Sequence, residues 1–315
     1  MPIAISSGPN YSNSTVSSKA PNSRFIPEVW STKLVTKFYA ATVLADISNT
    51  DYEGEITKYG DKVHIRTIPS ITINDYEKGM NLTFETPESP SVELTIDHGK
   101  YFAFTVDDVN AYQSDLKLLD NWSTDASEQM KIAIDTDVLG NIYGSVDAAN
   151  TGATAGKISG NINLGAAGAP LSMTEINILG YILDCGQVLD EQNVPDEGRF
   201  IILPAWATRL LKNSDLKQAY LTGDSVSPIR NGKIGMINNM TVYNSNLLAK
   251  TAETGGNAFH MIAGHKSGLT FASQMTEMET LRNPNQFGDL TRGLNVYGYD
   301  VIKPESLVHL YGLKG

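Results

Sequence analysis

Residues at spacings that could do chemistry fall in a few short stretches of the 315-residue chain. Gly152-Ala153-Thr154-Ala155-Gly156-Lys157 approaches a phosphate-binding loop, in which backbone amides and a lysine cradle phosphate oxygens. Its glycine spacing is short, and Ile158 stands where a metal-binding hydroxyl would be needed, so a plain polar loop is expected. Gly223-Asp224-Ser225 has the look of a serine nucleophile block, which needs a buried strand before it and a paired histidine base. Gln218-Ala219-Tyr220-Leu221 is a poor strand, and His309 has no aspartate near it in sequence. His64, His98, His260, His265 and His309 are scattered, and His260 and His265 would point to opposite faces of a strand. Neither a metal site nor a cofactor is expected. Cys185, in the apolar run ILGYILDCG, reads as a small buried hydrophobe. The carboxylates are isolated or in helix-capping positions, as in Asp107-Asp108, and Trp30, Trp122 and Trp206 read as core or contact residues. The residues therefore point away from an enzyme.

Composition narrows the remaining classes. With 24 basic and 35 acidic residues the net charge is -11, the wrong sign for gripping nucleic acid or anionic lipid through bulk charge. A 41% hydrophobic content supplies a substantial core. A single cysteine fits a reducing compartment such as a cytoplasm. The first residues lack a basic head followed by an apolar stretch, and no uncharged run approaches the roughly 20 residues that cross a bilayer, so a soluble protein without a membrane partner is expected.

The elements that must position these residues can be read from periodicity. From Met1 to about Ser23 the chain is rich in Ser, Asn, Thr and Pro and is expected to be an arm that orders only against another surface. Phe25 to Ala45 has helical spacing after Pro27. Val63, Ile65 and Thr67, then Val92, Leu94 and Ile96, alternate with polar residues and predict a hairpin whose long connection, ITINDYEKGMNLTFETPESPS, forms a flexible loop. Such a two-stranded ribbon is marginal alone in water. A long helix is predicted through Val109, Tyr112, Leu116, Leu119, Met130, Ile134, Val138 and Ile142, with an interruption near Asn121. Ser172-Met173-Thr174-Glu175 reads as a capping box opening a helix through Leu189. Arg199 to Leu203 reads as a buried strand, Pro204 as a helix start, and Ile234 to Tyr243 as a hairpin around Asn238-Asn239. His260 to Phe271 reads as a strand pair around Gly264 and Gly268, and Leu290 to Ile302 as a strand stopped by Pro304.

Arm, hairpin with a long loop, long helix, mixed domain and return strand follow in that order. FIPEVWSTKL, GDKVHIRTIP, VPDEGRFIILPAWATRLLKN, NGKIGMINNMTVYNSNLL and TRGLNVYGYDVIKPESLVHL add local likeness. Together they make the chain resemble the major capsid proteins of tailed phages, of α+β class and Hong Kong 97-type capsid fold. The resemblance implies an N-arm with a short helix (1–47), an E-loop hairpin (48–104), a peripheral domain with a spine helix (105–165), an axial domain (166–268), and return strands of the peripheral domain with the C-terminal strand (269–315). It also implies self-assembly into hexamers and pentamers of an icosahedral shell that encloses double-stranded DNA and contacts it weakly. The implied partners are a separate scaffolding protein, a portal and a decoration protein, and the implied location is the virion, after assembly in the host cytoplasm. An encapsulin-like compartment shell is the alternative with the same fold. Phe25, Trp30, Asp75, Tyr76, Lys78, Asn283, Asn285 and Phe287 are the expected contacts between subunits. Some members of the family join a loop lysine to an asparagine, a role open to Lys78 with Asn283 or Asn285. An ordinary lysine is a weak nucleophile at neutral pH, and no assisting glutamate is identifiable, so a contact rather than a bond is expected.

Overall fold

Among the described residues, alternation and apolar runs translate into three separate sheets. The computed structural model describes residues 39–40, 42–51, 62–66, 68–69, 71–89, 91–108, 118–214, 235–283 and 286–315. A four-residue helix, α1 (Leu44–Ile47), is what is described of the helix expected between residues 25 and 45. Buried Asp135 accepts from the amides of Val43 (2.7 Å) and Leu44 (3.4 Å), which ties α1 to the long helix α2 (Leu118–Asn141). Burial raises the Asp135 carboxyl above its ordinary pKa, while the two amides favour its charged form.

Strands β1 (Lys62–Arg66) and β2 (Ser91–Thr95) pair antiparallel as the expected ribbon. β3 (His98–Asp107) leaves the ribbon and pairs with β11 (Gly288–Val301), which also pairs with β10 (Leu269–Arg282). α2 lies along this three-stranded antiparallel sheet, with Trp122 set edge-on to Phe104 of β3 at 5.9 Å. Ile134, Val138 and Ile142 recur at steps of four and are all buried. The helix runs through Asn121 without the expected interruption.

The third sheet has seven strands. Its main path is β4 (Leu171–Met173), β12 (Leu307–Lys314), β9 (Gly256–His265), β5 (Arg199–Leu203), β7 (Met240–Asn244) and β6 (Met236–Ile237), with β8 (Lys250–Glu253) paired to β9. Every residue of β5 is buried, as its unbroken apolar run requires. Asn238 and Asn239, at φ 48° and 61°, make the tight turn between β6 and β7. Helix α3 (Ile178–Glu191) buries Ile178, Ile182, Cys185 and Leu189, and α4 (Ala205–Asn213) starts after Pro204 as expected. One large core joins α1 to α4 with this sheet.

Two further readings of the sequence need correction. The Ser172–Glu175 capping box is not one: Leu171–Met173 is a strand parallel to β12, and α3 starts at Ile178, after Asn177 has folded back to accept from the Thr174 amide at 2.7 Å. β9 and β10 turn at 266–268 but do not pair, because the turn carries the chain from the seven-stranded sheet to the three-stranded one. After Pro304 the chain re-enters as β12, between β4 and β9. Consequently β3 crosses position 104, and β12 shares a sheet with the elements between 166 and 268.

Candidate assembly surface

The ribbon has one apolar face, carrying Val63, Ile65, Val92 and Leu94, and one polar face on which Glu93 meets Lys62 at 3.3 Å and His64 at 3.4 Å. Ile65, Leu94 and Ile96 pack on Ala272 of β10, with Val63, Val296 and Ile302 around them. This small cluster anchors the root of the ribbon on the three-stranded sheet. Gly298 makes the crossing possible, since a Cβ there would lie 2.2 Å from the Thr95 carbonyl oxygen.

Beyond the root, the described residues of the loop, 68–69 and 71–89, make no strand pairing, and all but Pro69 are exposed. A turn closes at Lys78-Gly79, with Gly79 at φ 94° and the Met80 amide donating to the Glu77 carbonyl at 3.2 Å. Thr72 N–H donates to Glu85 across the loop at 3.2 Å. Ile73 and Phe84 are each 90% exposed, and Ile68, Ile71, Tyr76 and Leu82 are also largely in solvent. Burying six such side chains would be worth on the order of 10 kcal/mol, which the isolated chain forgoes.

A second apolar surface lies on the outer face of the three-stranded sheet. Tyr101, Leu290 and Leu294 line a shallow depression of about 460 Å³, and an Arg292 to Glu279 ion pair lies across it. At one end of this sheet, the turn from β10 to β11 is braced by Arg282, which binds both Asp108 and Asp289. That turn presents Phe287, 83% exposed, to solvent.

Of the expected contact residues, Asp75, Tyr76 and Lys78 are exposed at the loop tip, and Asn283 and Phe287 lie on the β10–β11 turn. Phe25, Trp30 and Asn285 lie outside the described residues, as does Ser225. The loop at 152–157 folds against α3: the amides of Ile158 and Ser159 donate to one oxygen of Glu191 at 2.8 and 3.1 Å. A carboxylate of the chain thus fills the place a phosphate would take, and these amides pull its pKa down to about 2. Burial pushes the Cys185 thiol above its ordinary value, which suits a core residue rather than a nucleophile. Among the described residues, no group of three or more His, Cys, Asp or Glu could hold a metal, and no helix is long and apolar enough to cross a membrane.

Sequence reasoning missed two polar devices. Arg199 is buried and donates to the carbonyls of Val194 and Pro195 while pairing with Asp190 and Asp196, so it clamps the end of α3 to the start of β5. Its four partners all lie within ten residues of it, so the cluster was visible in sequence but the burial was not. The second device is a contact between His260 and His309, strands apart in sequence.

The exposed apolar loop and the outer sheet face are surfaces suited to contacts between chains. Residues 90–310 match the model of the phage capsid protein family, and the chain belongs to that family. It is a major capsid protein of the tailed-phage, Hong Kong 97-type fold and forms the phage head. Among solved structures, a chain of Mycobacterium phage Che8 superposes with a TM-score of 0.75 at 27% identity, covering 91% of this chain and 97% of that one. The capsid of cyanophage P-SCSP1u gives 0.71 at 14% identity over 93% and 94%, and that of Myoviridae phage XM1 gives 0.59 at 15% over 92% and 98%. The last two bear on fold alone. No curated protein matches the chain. The comparisons give no support to the encapsulin-like alternative.

Proposed function

We propose that the chain builds hexamers and pentamers in which the loop at 68–89 of one copy covers the outer face of the three-stranded sheet of the next. The observation that carries this reading is the row of solvent-exposed Ile71, Ile73, Leu82 and Phe84 on a loop that the other described residues leave uncovered. Head-to-tail contacts of this kind close into rings, and obligate ones bury on the order of 2,000 Å² or more. Asp75, Tyr76 and Lys78 at the tip, Asn283 and Phe287 on the β10–β11 turn, and Phe25, Trp30 and Asn285 outside the described residues are contact residues in this reading. The five segments expected from the sequence serve as arm, E-loop, peripheral domain, axial domain and returning strands.

The chain does no chemistry of its own. A separate scaffolding protein guides assembly in the host cytoplasm, a portal occupies one vertex, and a decoration protein caps the outside. The net charge of -11 suits a wall that encloses DNA without gripping it. The test replaces Ile71, Ile73, Leu82 and Phe84 together with Ser. The variant is expected to keep the circular dichroism and melting temperature of the unassembled chain while electron micrographs show no shells. Shells at wild-type yield would reject the loop as an assembly contact.

A further inference from the structure

The seam between the end of α2 and the seven-stranded sheet is closed by a chain of polar hydrogen bonds that runs through two histidines. Thr151 Oγ1 bonds His309 Nδ1 at 3.0 Å, His309 Nε2 bonds His260 Nδ1 at 3.0 Å, and His260 Nε2 bonds Thr251 Oγ1 at 3.0 Å. The two imidazoles are nearly parallel, with centroids 5.1 Å apart. Tyr143, in the 3-10 turn that follows α2 (Ile142–Ser145), stacks on His260 at 4.0 Å. Asn150 donates to the Glu305 and Leu307 carbonyls, which holds the same loop to the start of β12.

Proton counting limits what this arrangement tolerates. A neutral imidazole has one donor nitrogen and one acceptor, so two neutral rings and two hydroxyls form a continuous chain in either direction. One added proton can still be accommodated by reversing a hydroxyl, but it places a charge in a part-buried site that is linked to the Glu253 carboxylate only through the Thr251 and Tyr311 hydroxyls. Two added protons set N–H against N–H at 3.0 Å and break the central bond. The other titratable groups that face the pair are Tyr143 from the turn after α2 and Tyr311 of β12. Glu253 of β8 sits behind Tyr311, where it accepts from the tyrosine hydroxyl and from the Gly168 amide, both at 2.9 Å. No cation or free carboxylate is recorded against the rings among the described residues.

We propose that the His260–His309 pair is an acid-labile joint, which holds the end of α2 on the seven-stranded sheet at neutral pH and releases it on protonation. The inference concerns the single chain and does not rest on how copies assemble. Burial lowers the pKa of His260. Burial and the neighbouring His260 lower that of His309 to about 4. An imidazole lowered on folding costs nothing above its ordinary 6.5, and costs progressively more as pH falls from 6.5 toward about 4. Below that the folded form takes the proton too and the loss levels off.

Hydrogen exchange of the full unassembled chain, corrected for intrinsic rates, tests the joint at pH 7 and pH 4.5. Peptides covering 142–151, 256–265 and 307–314 are expected to open about tenfold more often at the lower pH. Peptides from α3 and β5 serve as the internal control. His309→Gln should flatten the pH dependence of the first three peptides and leave the control unchanged. Because that variant also loses the Thr151 bond, histidine ring resonances of the unsubstituted chain provide a second measurement. Two signals titrating together well below 6.5 support the joint. Titration of both near 6.5, or seam opening that does not exceed the control, overturns it.

Discussion

The seven-stranded body and the ribbon loop handle apolar residues in opposite ways. In the body, Phe200, Ile201, Ile202 and Leu203 of β5 are covered on both faces, and buried Arg199 at its edge has every donor group engaged by carbonyls or carboxylates. In the loop, Ile73 and Phe84 stand in water beside a turn held by a few local bonds. In the proposed reading the body is stable on its own terms, and the loop is completed by a neighbouring copy. Substitutions should therefore separate into those that unfold the chain and those that leave it folded but unable to assemble.

Phe200→Ala should show the first behaviour most strongly. The ring is fully buried between the sheet and its helices, and its removal leaves a cavity in the middle of the core. A loss of about 3–5 kcal/mol in unfolding free energy is expected from denaturant titration of the unassembled chain. A loss below about 1 kcal/mol would mean that the body is not the self-sufficient part.

Gly156→Ala comes next and tests how tightly the body's loops are fitted. Gly156 sits at φ 103°, and a Cβ there would lie 2.2 Å from Ser159 Oγ and 2.9 Å from Glu191 Oε2. Strain and displacement of Glu191 together should cost about 1–3 kcal/mol, seen as a lower melting temperature.

Glu191→Gln is smaller and carries a pH signature. The carboxylate is lowered to about 2 from 4.5 by the Ile158 and Ser159 amides. A carboxyl depressed on folding contributes fully above its unfolded value, and that contribution disappears as pH falls from about 4.5 to 2. Because the group is solvent-accessible, screening reduces its worth to about 1 kcal/mol at neutral pH. The stability difference between the two proteins should shrink to near zero by pH 2. A difference independent of pH would show that the amides recognise shape rather than charge.

How legible each region was follows from where its determinants lie. β1, β2 and β5 were readable because alternation or an unbroken apolar run is local, and Asn238-Asn239 announced its own turn. β12 was read only as a C-terminal strand without a partner: Leu307-Val308-His309-Leu310-Tyr311 has the continuous apolar character of β5, but its place between β4 and β9 is set by residues far away in sequence. Ser172–Glu175 had the pattern of a helix cap, but pairing with β12 from the far end of the chain overrode it. Gly264 and Gly268 did mark a special position, though not a hairpin: a Cβ on either would strike Leu307 or Ser306, so they make room for β12. The histidine pair depends on the β9–β12 register, which sequence spacing does not reveal. Ile71, Ile73, Leu82 and Phe84 were visible as residues, but their exposure could be learned only from where the loop leads.

Phe287→Ser should give the smallest change in the stability of the chain and is for that reason the sharpest separation of the two regions. Phe287 is 83% exposed on the β10–β11 turn, and its backbone carbonyl, which accepts from Asp108 N–H at 3.2 Å, survives the substitution. An exposed side chain of this kind should shift unfolding free energy by less than about 0.5 kcal/mol. A buried aromatic anchor at an interface is worth about 2 kcal/mol or more, and in a closed ring every subunit repeats the loss. Light scattering should therefore show assembly beginning at a protein concentration at least about tenfold higher, while the unassembled chain melts as before. Unchanged assembly would remove Phe287 from the contact and leave the loop at 68–89 to carry it. A large drop in melting temperature would place the turn with the body instead.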